Sequence, residues 1–149
     1  MLFTLIPLTG FDRASQIEIS SIQTTIIKAE KILRYDFKLK NNGSTPFESE
    51  FDYPGQNPYG LEVVIRPNKS LASKMVLVRG SKFIKMTPMG SGSPGIIDPG
   101  AEGSFHVEYK IKDDIDLRGI KKLAFDSTLL IIDGVDILKE FPLEKVKED

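Results

Sequence analysis

The chain has 149 residues, 40% of them hydrophobic, and its 20 Lys and Arg against 21 Asp and Glu give a formal net charge of -1. This is the size of one domain with one core. The balanced charge argues against a nucleic-acid partner, because affinity for nucleic acid grows with the number of phosphates neutralised. The absence of Cys excludes disulfides and thiolate chemistry. The longest apolar run, residues 2–8, is too short for a transmembrane segment and contains Pro7.

The first residues predict either a loosely held arm or the remnant of an export segment. Leu8-Thr9-Gly10 resembles the end of a lipoprotein signal, but Phe11 stands where the lipidated Cys would be. A complete signal peptide has a basic region before its apolar run, and here no basic residue precedes that run. We predict this arm over residues 1–15 and a single domain over residues 16–149. A remnant of an export signal would place the protein outside the cytoplasm, and an ordinary arm would leave it cytoplasmic.

Alternation of apolar and polar residues predicts half-buried strands along the chain. It is clearest over residues 32–40 and 104–112, where apolar side chains face one way and charged ones the other. The first of these strands ends at Asn41-Asn42-Gly43, residue types that favour a turn. Three further strands are predicted: residues 17–26 with a bulge or a sheet switch at Ser20-Ser21, residues 61–65 before Pro67, and a short buried strand over residues 75–78.

The C-terminal part predicts a hairpin. Residues 122–132 are rich in apolar and β-branched types and run into Asp133-Gly134, a strong hairpin signal between apolar segments. Amphipathic helical stripes are nearly absent. We therefore predict an all-β protein, an antiparallel immunoglobulin-like β-sandwich of about seven to nine strands.

Two long loops are predicted as binding regions, because binding residues lie disproportionately on loops. The first, residues 52–60, contains two Pro, two Gly and two Tyr. The second, residues 87–100, is rich in Gly, Ser and Pro and is expected to be mobile unless neighbouring apolar residues pin it to the core. The candidates for that pinning are Met86, Met89, Ile96 and Ile97.

No catalytic constellation is visible, so we predict that the protein is not an enzyme and needs no cofactor. His106 is the only imidazole, and its parity places it on the polar face of a strand. Ser91, in Met-Gly-Ser-Gly-Ser, only superficially resembles the G-x-S-x-G nucleophile motif. One His without any Cys leaves no ordinary zinc site.

Carboxylates offer two alternatives. The carboxylates of Asp113, Asp114 and Asp116 could coordinate Ca²⁺. Their spacing does not match the EF-hand pattern, however, and a solvated acidic turn explains the cluster. A hydrolase using carboxylates is the weakest hypothesis, because no polar residue is predicted at an inward-facing strand position where burial would tune its pKa. No metal site is therefore assigned.

Two segments carry a resemblance to a known family. Tyr35-Asp-Phe-Lys-Leu-Lys-Asn-Asn-Gly, followed later by Ile97-Asp-Pro-Gly-Ala-Glu-Gly-Ser-Phe-His-Val, resembles the signatures of bacterial immunoglobulin-like accessory domains, which are commonly secreted or lipid-anchored. The resemblance implies a non-enzymatic interaction module of the bacterial cell envelope. Its partner would be a protein or a glycan, bound through loops at one end of the sandwich.

A narrower likeness leads to an alternative function. An Asn-rich turn at Asn41-Asn42, then Phe51-Asp-Tyr-Pro-Gly-Gln56, then Pro99-Gly100 follow the order seen in the intracellular proteinase inhibitor family, although Pro54 replaces a serine of that pattern. This resemblance implies a proteinase inhibitor acting through the 52–60 loop. The candidate partner-binding residues are Tyr53, Gly55, Gln56 and Tyr59.

Overall fold

The computed structural model describes residues 13–50 and 61–149. The regular structure of this part of the chain is mostly antiparallel strands, which confirms the prediction of an all-β protein. The strands are β1 (Ile17–Ile27), β2 (Ile32–Asn41), β3 (Phe47–Glu48), β4 (Glu62–Pro67), β5 (Pro88–Gly92), β6 (Ile96–Ile97), β7 (Glu102–Lys110), β8 (Ser127–Asp133) and β9 (Asp136–Pro142). Two one-turn helices, α1 (Lys69–Ala72) and α2 (Ile120–Leu123), and 3-10 turns at Arg13–Gln16 and Leu143–Lys145 complete it.

The strands form two principal sheets. One has the order β1-β2-β7-β5 and the other the order β4-β8-β9, while β3 and β6 pair separately. The alternation read from the sequence sets which face of β2 and β7 is buried, since a period of two places every second side chain on the core side. None of the helices in the described ranges is long or apolar enough to cross a membrane.

One core is shared by both sheets. Inward-facing residues of β2 and β7 pack in the same cluster as those of β4 and β8. Phe37 and Phe105 lie opposite each other with parallel rings 5.3 Å apart. Burial of such a side chain contributes about 1.5–3 kcal/mol, so this cluster is the main stabilising element.

The irregularity at Ser20-Ser21 is a bulge. The pairing of β1 with β2 shifts register between Ile19 and Ser21, and both halves of β1 remain in the same sheet. The Ser20 hydroxyl donates to the carbonyl of Lys38 across the pair. The extra residue explains why the apolar alternation changes phase there.

Three sequence-based expectations were wrong in part. Residues 75–78 are not a buried strand: Met75 is buried and bridges Ile111, but Leu77 is 50% exposed. The predicted loop 87–100 contains β5 and β6, and the buried Met86 and Ile97 hold it while Met89 and Ile96 are exposed.

The strand predicted from residue 122 begins only at Ser127. A turn of helix precedes it, because Ile120, Leu123 and Ala124 have the i, i+3, i+4 spacing that buries one helical face. The hairpin itself is confirmed: Asp133 pairs with Asp136, and Gly134 adopts a φ of 63° in the intervening turn.

Candidate functional site

The residues predicted to bind a partner, Tyr53, Gly55, Gln56 and Tyr59, lie outside the described residues, so their role stays a prediction. The residues that flank this segment are well held. The backbone N–H of Glu50 donates to Oδ2 of Asp133 at 2.9 Å, and Leu61 is buried in the core. The chain therefore enters and leaves the segment from fixed positions.

Asp133 contradicts the expectation that no carboxylate is buried on a strand. It is 1% exposed, and its two oxygens accept hydrogen bonds from the Ser49 hydroxyl and the Glu50 N–H. The Asp133-Gly134 pair signals only a turn in the sequence, so this role was not predicted. The two hydrogen bonds show that the Asp133 carboxylate anchors the backbone at Ser49 and Glu50.

A groove of about 600 Å³ lies between the two principal sheets. Residues of β4 form one side and residues of β5 the other, and these are the end strands of their sheets. Among the described residues, no strand pairs with the outer edge of either strand, and both of these free edges adjoin the same opening. The lining is mostly apolar, and comprises Leu61, Glu62, Val63, Val64, Ile84, Pro88, Gly90, Ser91, Gly92, Ser93, Val107, Tyr109 and Gly134.

The free edge of β4 presents backbone hydrogen-bonding groups. The N–H of Ile65 donates to the Tyr109 hydroxyl at 2.9 Å, so it points away from the neighbouring β8. Backbone groups alternate between the two sides of a strand, and the N–H and C=O of Val63 therefore point toward the same free edge. Burial raises the pKa of Tyr109 to about 12, which keeps its hydroxyl neutral at physiological pH.

The free edge of β5 is covered at one end only. Upstream, the N–H of Thr87 donates to the carbonyl of Val76, and the N–H of Val78 donates to that of Lys85. From Pro88 to Gly92, no described segment pairs with the side of β5 that faces away from β7. The open stretch coincides with the groove.

His106 lies on the opposite, outer face of the four-stranded sheet, across from Asp36. Arg34 donates three hydrogen bonds of 2.8, 2.9 and 3.1 Å to Asp36 and one of 2.9 Å to Glu108. The Arg34 guanidinium holds the pKa of the Asp36 carboxyl below its ordinary value. His106 extends against Gly92, where a Cβ atom would lie 2.4 Å from its ring. These charges satisfy one another, as in a surface ion-pair network.

The acidic turn at residues 113–116 is exposed. Asp116 is paired with Arg118, with its Oδ2 2.7 Å from the guanidinium. Asp113 lies 3.7 Å from the ammonium of Lys31. Within the two described ranges, no three His, Asp or Glu side chains are arranged to hold a metal ion.

A basic segment of the chain contributes residues to the groove lining. Residues 63–97 contain six Lys and Arg and no Asp or Glu, an asymmetry that the net charge of the whole chain conceals. We call residues 79–85 the basic loop; it contains Arg79, Lys82 and Lys85, all exposed, and contributes Ile84 to the groove. A charge count over a sliding window of the sequence would have revealed this basic segment.

Comparisons of the chain with protein-family models, with curated proteins and with solved structures found no match.

Proposed function

We propose that this protein is a non-enzymatic binding module that takes an extended polypeptide segment into the groove between β4 and β5. The observation that carries the proposal is the pair of free strand edges facing one apolar opening. A strand added to such an edge gains main-chain hydrogen bonds, and alternate side chains enter the adjoining pockets. The bacterial cell envelope is the setting that the sequence resemblance implies.

We also propose that the fold is an immunoglobulin-like sandwich. Without the short β3–β6 pair, the strand orders 1-2-7-5 and 4-8-9 correspond to the two sheets, ABED and CFG, of the constant-type immunoglobulin fold. In that correspondence β4 is strand C, the edge at which variable-type domains add further strands to the sheet. A bound segment at β4 would occupy the place of such a strand.

The polar groups around the groove favour binding over catalysis. Ser91 pairs with Val107 and faces the groove, whereas His106 lies on the outer face of the same sheet. The sheet separates the only imidazole of the chain from the groove serines, so His106 does not stand beside them as a base. The carboxylate of Glu62 has no second carboxylate among the described lining residues.

The test uses two serines on opposite faces. Ser91 and Ser104 are both exposed strand residues, but only Ser91 lines the groove. Peptides selected on the wild-type protein from a random library are labelled, and their affinity is measured by fluorescence anisotropy. We expect Ser91→Trp to weaken binding at least about tenfold, which is about 1.4 kcal/mol, and Ser104→Trp to leave it unchanged.

Thermal unfolding of both variants establishes that they are folded. Failure to select any extended peptide, or equal binding by the Ser91→Trp and wild-type proteins, would refute the proposed function.

The proteinase-inhibitor alternative has support from the anchoring of Glu50 by Asp133, because fixed flanking residues reduce the entropy lost when a loop binds. A panel of serine proteases assayed with the wild type and with Tyr53→Ala/Tyr59→Ala tests it. Inhibition that the double substitution abolishes would support this alternative, and an uninhibited panel would remove it.

A further inference from the structure

We infer that the segment bound in the groove is acidic and that the cations of the basic loop, residues 79–85, recognise it. This inference rests on the proposed function, because it names the chemical class of the polypeptide that the groove takes.

The basic loop reaches the groove by passing around the free edge of β4. Phe83 and Ile84 pack on Val64, whose side chain lies on the outer face of the three-stranded sheet. Met86, two residues later, is fully buried in the core on the inner face. The chain therefore crosses from one face of β4 to the other, which holds the loop beside the groove that Ile84 lines.

The charges of the basic loop are not neutralised by the described residues. Arg34, Arg66 and Arg118 each pair with a carboxylate. By contrast, Arg79 and the two lysines of the loop form no ion pair within residues 13–50 and 61–149.

The contacts that the two lysines do make leave their charges in place. The Lys82 ammonium lies 5.3 Å from the centre of the Phe83 ring, and Lys85 donates to the carbonyl of Ser81 at 3.0 Å. Three exposed cations on the loop that contributes Ile84 to an apolar groove are complementary to a segment with both apolar and acidic residues.

An acidic polypeptide fits this surface better than a polyanion or a membrane. Outside residues 63–97 the chain has 14 Lys and Arg against 21 Asp and Glu, so most of the molecule repels a long phosphate chain. The N–H and C=O of Val63 at the edge of β4 match another polypeptide backbone, which a lipid headgroup does not offer. Leu77 and Met89 are half exposed nearby, so a membrane is the competing occupant that the experiment must separate.

The probes are three labelled peptides in which Val alternates with Glu, Gln or Lys. Each is titrated into the wild type, into Arg79→Gln/Lys82→Gln/Lys85→Gln, and into the control Lys28→Gln/Lys38→Gln/Lys147→Gln, which removes three exposed charges elsewhere. We expect the Glu peptide to bind the wild type about tenfold more tightly than the Gln peptide. The loop variant should lose this preference and the control should keep it. Raising NaCl from about 25 to about 300 mM should reduce the preference, because salt screens exposed charges.

The other outcomes separate the two claims. Equal binding of the Glu and Gln peptides, blocked by Ser91→Trp, would overturn the acidic specificity and leave the proposed function standing. No binding of any peptide, including peptides selected from the random library, would overturn both. Sedimentation with phosphatidylserine vesicles that depends on the basic loop, without peptide binding, would replace the inference with a membrane surface.

Discussion

Two buried tyrosines face each other in the core but perform different tasks. Their rings meet edge to face with centroids 6.4 Å apart. The Tyr35 hydroxyl donates to the carbonyl of Ala124, which also accepts from the Ser127 hydroxyl, both at 2.6 Å. The Tyr109 hydroxyl instead accepts the N–H of Ile65. Each ring contributes apolar burial, but only Tyr109 satisfies a backbone donor of β4.

This difference predicts unequal costs for removing the two hydroxyls. Tyr109→Phe leaves the buried Ile65 N–H without its acceptor and should lower the free energy of unfolding by about 1–3 kcal/mol. Tyr35→Phe should cost about 1 kcal/mol or less, because Ala124 keeps its bond from Ser127. Urea denaturation of both variants measures the difference. A larger loss in Tyr35→Phe would show that Ile65 finds another acceptor.

At the scale of the elements, the strands that the sequence predicted are those with a two-residue alternation. β2 and β7 have it throughout, and β1 has it on either side of its bulge. β5 could not be predicted, since Pro88, Gly90 and Gly92 are residue types that strands disfavour. Its glycines are tolerated because side chains of β7 occupy the space where their Cβ atoms would be. That reason exists only in the folded structure.

The candidate site was less predictable than the fold. The groove forms where two strand edges meet, one of them on a strand that the alternation did not reveal. Apolar residues such as Val63 and Val107 were correctly predicted to face the core, but no local pattern shows that neighbouring strands leave an opening between them. The basic segment was visible in the sequence, and only its position beside the groove required the structure.

Close packing between the strands predicts that substitutions at two glycines will have unequal effects on stability. A Cβ atom at Gly103 of β7 would lie 2.9 Å from Ile97 and Pro94, whereas nothing lies within 4 Å of one at Gly95. Gly103→Ala should therefore cost about 1–3 kcal/mol through overpacking. Gly95→Ala should be neutral or slightly stabilising. Chemical denaturation compares them, and equal stability of the two variants would mean that the β6 segment moves aside freely.

At the scale of the whole molecule, the sheet edges on the two sides differ in how far other residues cover them. The free edge of β1 is covered by the C-terminal residues: Asp149 exchanges hydrogen bonds of 3.0 Å with the backbone of Ile22. Lys139 of β9 donates to the carbonyl of Ile17, which links the two sheets on that side. Among the described residues, no strand pairs with the outer edge of β4 or with that of β5 from Pro88 to Gly92, although the basic loop passes around β4. Because the β1 side is protected from strand pairing, the groove side is the one that can accept an added strand.

The cover over β1 makes the stability of the protein depend on pH through Glu148. Partial burial raises the pKa of this carboxyl, but hydrogen bonds of 2.9 Å from the N–H and hydroxyl of Thr24, together with Lys121, outweigh it and hold the pKa below its ordinary value of 4.5. A lowered pKa in the folded state means that the ionised form stabilises the fold above pH 4.5. This contribution is lost as the pH falls through the lowered pKa.

Glu148→Gln removes that charge and should reduce the free energy of unfolding by about 0.5–1 kcal/mol near pH 7. The difference from the wild type should shrink toward zero at an acidic pH below the lowered pKa, where the wild-type carboxyl is protonated as well. Glu144→Gln is the matched control, because Glu144 is exposed and forms no ion pair with the described residues. Urea denaturation at both pH values gives the comparison. A difference that persists unchanged in acid would assign the effect to packing of the C-terminal residues, and the charge would then have no part in closing the β1 edge.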